Sequence, residues 1–199
     1  MPLWRKCRFL GSNFLLPVLL GVLGAHLAHR RLYPPDVMQT APKGASYGTI
    51  SVRFKLPGTS AGIPEPLLTV GKQGNASIVY IRLINRARAK VGVQFVGLQP
   101  IEGDVFNLPA MDAEIEVTFF LPALFAPMGD PAWGGMPPPL QEIRKKRFYI
   151  LVDNVVRAKG PIDYVQPAHA PVYVGENPVG GSYVTDRFSG TVLAAAQSR

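Results

Sequence analysis

The chain has 199 residues, 47% of them hydrophobic and 17% charged, which is too apolar for a disordered protein and enough to build a core. Its single cysteine excludes an intramolecular disulfide framework and a thiolate zinc site, and its three histidines, two of them beside the apolar N-terminal stretch, argue against a multi-histidine metal centre. The net charge of +8 is unevenly placed: Arg5, Lys6, Arg8, Arg30 and Arg31 precede the first acid, while residues 32–199 hold 16 basic and 13 acidic side chains, so the body lacks the field that nucleic-acid binding needs.

The first predicted element is apolar. After Arg5, Lys6 and Arg8, residues 9–28 carry no charge, and a helix of 20 residues at ~1.5 Å each just spans ~30 Å of hydrocarbon. The strongly apolar part, Phe14 to Ala25, has the length of a secretory signal. A cleaved signal peptide would end at Ala25 or Ala28, but His26 is a poor −3 residue for the second cut and Arg30-Arg31 follow at once. The preferred reading is an uncleaved signal-anchor in residues 1–31, with the short N-terminus cytoplasmic and the body exported to a periplasm or the cell exterior. A buried core helix is the third reading, and it leaves the bracketing cations unexplained. Cys7 lies before the apolar run, so there is no lipobox. Gly21 and Gly24 would let the helix pack on other membrane helices.

Residues 32–47, with Pro34-Pro35 and Pro42, read as an extended tether. From residue 48 to 193 alternation dominates. Ile50, Val52, Phe54 and Leu56 face one way and Ser51, Arg53 and Lys55 the other, up to Pro57-Gly58. Further strands are expected at 66–71, 77–84, 91–96 and 115–121. A hairpin should join 148–152 to 155–156 through Asp153-Asn154, a pair that tolerates positive φ, and strands at 172–175 and 188–193 close the set. Residues 194–199 read as a tail. Eight or more short strands and no convincing amphipathic helix imply an all-β fold, an antiparallel two-sheet jelly-roll sandwich preceded by one hydrophobic helix. The basic runs Arg86-Ala87-Arg88-Ala89-Lys90 and Arg144-Lys145-Lys146-Arg147 fall at strand edges, where cations discourage edge-to-edge pairing; a polyanion contact is the other reading.

Gly175-Glu176-Asn177-Pro178-Val179-Gly180-Gly181-Ser182, followed by Phe188-Ser189-Gly190-Thr191-Val192, resembles the closing segment of concanavalin A-like lectin/glucanase domains, the laminin-G-like jelly rolls. Phe148 to Val156 resembles their hairpin, and Pro66 to Gly97 the early strands of membrane-anchored bacterial versions. The resemblance implies a domain whose last strand pairs near its first, in a family that binds carbohydrates or proteins and in part hydrolyses glucans. Fold alone does not choose among these.

One constellation resembles catalysis. Asp112, Glu114 and Glu116 alternate, as do the carboxylates of laminarinase-type glycosidases, and a spacing of two puts them on one face. The first position is Asp rather than Glu, no Trp adjoins the motif, and the same alternation describes any solvated strand face. His169, in Pro167-Ala168-His169-Ala170-Pro171, has no nucleophile-elbow sequence to serve. Asp104, Asp130, Asp163 and Asp186 are scattered without calcium-loop spacing, so no metal and no cofactor is expected. Asn75-Ala76-Ser77 matches the glycosylation sequon, a match that chance explains. The long loop Pro122–Pro139 carries Trp133, which would offer a flat face to a sugar or a protein if exposed, or would fold back over the sandwich edge. The preferred expectation is a non-catalytic, membrane-tethered domain that binds a glycan or a protein. A glycan hydrolase using Asp112, Glu114 and Glu116, and a structural subunit of an envelope complex, are the alternatives.

Overall fold

The computed structural model describes residues 47–58, 62–110, 112–162 and 170–198. The expectations for the 9–28 helix, the tether up to residue 46, Asp163 and His169 lie outside them. Among the described residues no helix is long and apolar enough to cross a membrane.

Eleven strands are seen among these residues: β1 Thr49–Lys55, β2 Pro64–Lys72, β3 Asn75–Asn85, β4 Arg88–Phe95, β5 Ile101–Glu102, β6 Phe106–Asn107, β7 Glu114–Phe120, β8 Arg147–Val152, β9 Val155–Pro161, β10 Val172–Val174 and β11 Thr191–Ser198. They form two antiparallel sheets. The first has the order β11-β1-β7-β8-β9; the second has the order β10-β2-β3-β4-β5, with β6 also on β4. The chain is an antiparallel β-sandwich. Ile50, Val52 and Phe54 of β1 and Ile115, Val117 and Phe119 of β7 meet Val79, Ile81, Val91 and Val93 of the second sheet in one buried core, as alternation in half-buried strands requires. Phe95 and Phe148 pack edge to face across it, centroids 6.2 Å apart.

The hairpin turn is the expected one. Asp153 and Asn154 have φ of 49° and 63°, the conformation of a two-residue turn that follows the strand twist. The last strand pairs with the first, Thr49 opposite Ser198 and Lys55 opposite Thr191. Two expectations need correction. Residues 194–198 are not a tail, because they complete β11 along β1. The stretch after Pro122 is not all loop: it holds single 3-10 turns at Pro122–Leu124 and Pro131–Trp133, and a helix, α1, at Pro138–Lys146. Pro138 and Pro139 preset φ for its first turn, and Arg144, Lys145 and Lys146 complement the dipole of its last. No apolar period announces this helix, because its buried residue is Gln141.

Candidate functional site

The carboxylates singled out in the sequence lie on the outer side of the first sheet. Glu114 and Glu116 are exposed on β7, opposite Lys55 and Arg53 of β1. Lys55 Nζ stands 4.0 Å from Asp112 Oδ2, with both side chains well exposed. Neither glutamate has the apolar cover that a glycosidase general acid requires. The arrangement is that of a solvated face with opposite charges across the strands.

Trp133 folds back. It is 9% exposed, its indole stacks on Phe125 at 6.0 Å and 17°, and its Nε1–H donates to the Pro127 carbonyl at 2.7 Å. Ring and donor are both engaged, so this side chain presents no open face. Asp130 accepts from the Ala132 amide at 2.8 Å and so caps the turn that carries the tryptophan. No group of three or more potential metal ligands occurs among the described residues.

A different site lies on the outer face of the second sheet. Register places Tyr80 of β3 opposite Gly92 of β4, and Gly92 opposite Glu102 of β5; Arg82 lies opposite Lys90, and Ile78 opposite Gln94. Arg82 and Lys90 are like charges on neighbouring strands, which is unfavourable unless an anion lies between them. Glu102 is that anion. Its Oε2 accepts from Arg82 Nη2 and, at 3.4 Å, from Lys90 Nζ, while its Oε1 accepts from the Tyr80 hydroxyl at 3.3 Å. The Arg82, Lys90 and Glu102 side chains keep about a quarter to a third of their surface open.

Glycine at position 92 is what lets the tyrosine lie there: a Cβ would stand 2.4 Å from the Tyr80 hydroxyl oxygen. Tyr80 is fully buried, covered by Val184 and by Tyr183, whose ring meets it edge-on at 5.3 Å. Burial above all, then the Tyr183 hydroxyl and the Glu102 charge, pushes the Tyr80 phenol far above its ordinary value. Burial likewise raises Tyr183, so both are neutral hydroxyls at physiological pH.

The covering loop, residues 176–187, is tied down from within and at its flanks. Asn177 is buried; its Nδ2 donates to Ser182 Oγ at 2.8 Å and to the carbonyls of Val184 and Thr185, and its Oδ1 accepts from the Val179 amide. Thr69 Oγ1 on β2 donates to the Glu176 carbonyl at 2.7 Å. Past the loop, buried Glu65 accepts from the Ser189 amide at 2.8 Å and from its hydroxyl at 2.9 Å. The Gly175–Ser182 stretch is therefore structural, and it serves to hold Tyr183 over the sheet. Two polar atoms on this face, Arg82 Nε and Gln94 Oε1, are buried without a hydrogen-bond partner among the described residues. Gln94 is 9% exposed. Buried orphan donors and acceptors are rare, and a bound polar molecule is one way of satisfying them.

No family model matches the chain, and no curated protein is similar to it in sequence. Among solved structures, it is similar to the CBM40 domain of the Ruminococcus gnavus IT-sialidase bound to alpha2,6 sialyllactose, at 16% identity and a TM-score of 0.45 over 76% of this chain and 75% of that one. The same domain bound to alpha2,3 sialyllactose gives 17% identity and 0.42 over 76% and 74%. The leech intramolecular trans-sialidase gives 16% and 0.41 over 75% of this chain and 21% of that one.

Proposed function

We propose that the sandwich binds a glycan on the outer face of its second sheet and does no chemistry there. The observation that supports this is the combination of an exposed Tyr183 ring with planar polar groups, Arg82, Glu102 and Gln94, held at fixed positions on rigid strands. Sugars are recognised by such means: an aromatic face for the C–H side of the ring, and side chains with paired donors and acceptors for adjacent hydroxyls. Two atoms with unmet hydrogen-bonding capacity give the site something to gain on binding. The kinship to concanavalin A-like jelly rolls read from residues 148–156 and 175–192 belongs to this reading. So does an exported domain held at a membrane by residues 9–28, which rests on the sequence pattern alone.

The test is a glycan array probed with the full-length chain, followed by dissociation constants for any ligand retained. Tyr183→Ala and Gln94→Leu should each weaken binding about tenfold, equivalent to one lost polar or stacking contact of ~1.4 kcal/mol. Retention of no glycan, or affinity in both variants unchanged from the parent, would overturn the proposal.

A further inference from the structure

Helix α1 is built inside out. Its inner side is polar: Gln141 is buried, its Oε1 accepting from the Gly129 amide at 3.2 Å and its Nε2 donating to the Met136 carbonyl at 2.7 Å. One turn on, Lys145 Nζ donates to the carbonyls of Pro122 and Phe125 at 2.9 and 3.1 Å, and the Arg144 guanidinium lies 5.2 Å from the centre of the Phe125 ring. The apolar side chains are the ones left outside. Leu140 and Ile143, three residues apart and so on one face, are 50% and 47% exposed. The Gln141 clip ties the preceding loop to the inner side of the helix at Gly129. A surface helix ordinarily turns such residues inward; here the polar clips fix them facing out.

What surrounds this apolar tip selects its partner. From Pro127 to Pro139 the only side chain with a formal charge is Asp130, whose carboxylate is engaged by the Ala132 amide. The loop otherwise consists of Pro, Gly, Ala, Met and the buried Trp133, so it offers no hydrogen-bonding code for a protein partner to read. Behind the tip stand Lys146 and Arg147, both exposed, with Glu142 paired to Lys146. Exposed apolar residues backed by cations fit the boundary of a bilayer, where the apolar groups enter the acyl region and the cations meet anionic headgroups. We infer that helix α1 docks on an anionic lipid surface through Leu140 and Ile143, with Lys146 and Arg147 at the headgroups.

The test uses the full-length chain with Cys7→Ser and Leu140→Cys, an environment-sensitive fluorophore on the new thiol, and vesicles of phosphatidylcholine with or without ~30% phosphatidylserine, a proportion that gives a strongly negative surface. The probe reads entry of the helix itself into the bilayer, and the neutral vesicles and the charge-reversal variant, which keep residues 9–28, separate this from tethering by that segment. A blue shift on anionic vesicles is expected, with quenching by lipids brominated in their acyl chains. It should weaken several-fold at 0.5 M salt and in the Lys146→Glu/Arg147→Glu variant, whose fold is checked by circular dichroism. Three results would overturn the inference: no shift on any vesicle, a shift of equal size on neutral vesicles and in the charge-reversal variant, or a shift without lipid that grows with protein concentration and so marks a second copy as the occupant.

Discussion

The outer faces of the two sheets are built from the same alternating strands and end in opposite states. On the first sheet, Glu114 and Glu116 face Lys55 and Arg53 across the ladder in open solvent. On the second, Tyr80 is buried under Val184 and Tyr183 of the 176–187 loop, Gln94 is buried, and Arg82, Lys90 and Glu102 are partly so. Charges in water interact weakly, whereas a covered polar group must find a partner or destabilise the fold. Carboxylates that look chemical in the sequence are thus the solvated ones, and the polar groups with unmet demand sit where no motif marks them.

The largest effect should come from Tyr80→Ala. It empties a fully buried ring site and should lower stability by about 3–5 kcal/mol in urea unfolding, with Gly92→Ala costing about 1–3 kcal/mol by displacing the same ring. A loss below ~1 kcal/mol for Tyr80→Ala would mean that the second face is as open as the first. Next, Asn177→Ala removes the partner of the Val179 amide and the Thr185 carbonyl, while the Val184 carbonyl keeps the Ser182 hydroxyl. It should cost about 2 kcal/mol, and amide exchange across 177–187 should accelerate while β7 and β8 stay protected.

Alkaline unfolding sharpens the contrast further. The Tyr80 phenol is held above its value in the unfolded chain, so its contribution is fully present below about pH 10, where an unfolded tyrosine keeps its proton. Above that the unfolded state gains by ionising while the folded state does not, and stability falls as pH rises. Tyr80→Phe should flatten that decline relative to the parent between pH 9.5 and 11, two values that bracket the ordinary tyrosine titration at ~10. Equal slopes would refute it.

Gln94→Leu should leave stability within ~0.5 kcal/mol of the parent or raise it, because an unpartnered buried carbonyl is removed, while glycan affinity drops. The smallest effect is expected for Glu114→Gln with Glu116→Gln: under ~0.5 kcal/mol in all, reduced further by salt, with no change in glycan retention.

The strands were legible where one face stays wet. Residues 50–56 and 115–121 alternate because their outer side chains are solvated. Along β2 nearly every residue is buried, so only the apolar run and the flanking turns signal it. Strands β5 and β6, two residues each, are too short to carry a period. Helix α1 was hidden for the opposite reason, its polar and apolar sides being reversed. The site on the second sheet was illegible as a motif because three strands assemble it, and Glu102 stands alone between Ile101 and Gly103. One signal could have found it: drawing the 77–84/91–96 hairpin in register sets Arg82 against Lys90, a like-charge pair that calls for an acid nearby.

Strand β1 lies between β7 and β11, and Glu65 is satisfied by Ser189, 124 positions later. A ribosome delivers these partners in the wrong order: the first strand emerges early and waits for the last to be made. Closure of the first layer therefore waits for its latest strand, with the long sequence separations that slow folding. A chain stopped before residue 189 would leave the carboxylate of Glu65 without its serine clamp and the opening strand bare along one side, an aggregation-prone intermediate that a chaperone would have to shield.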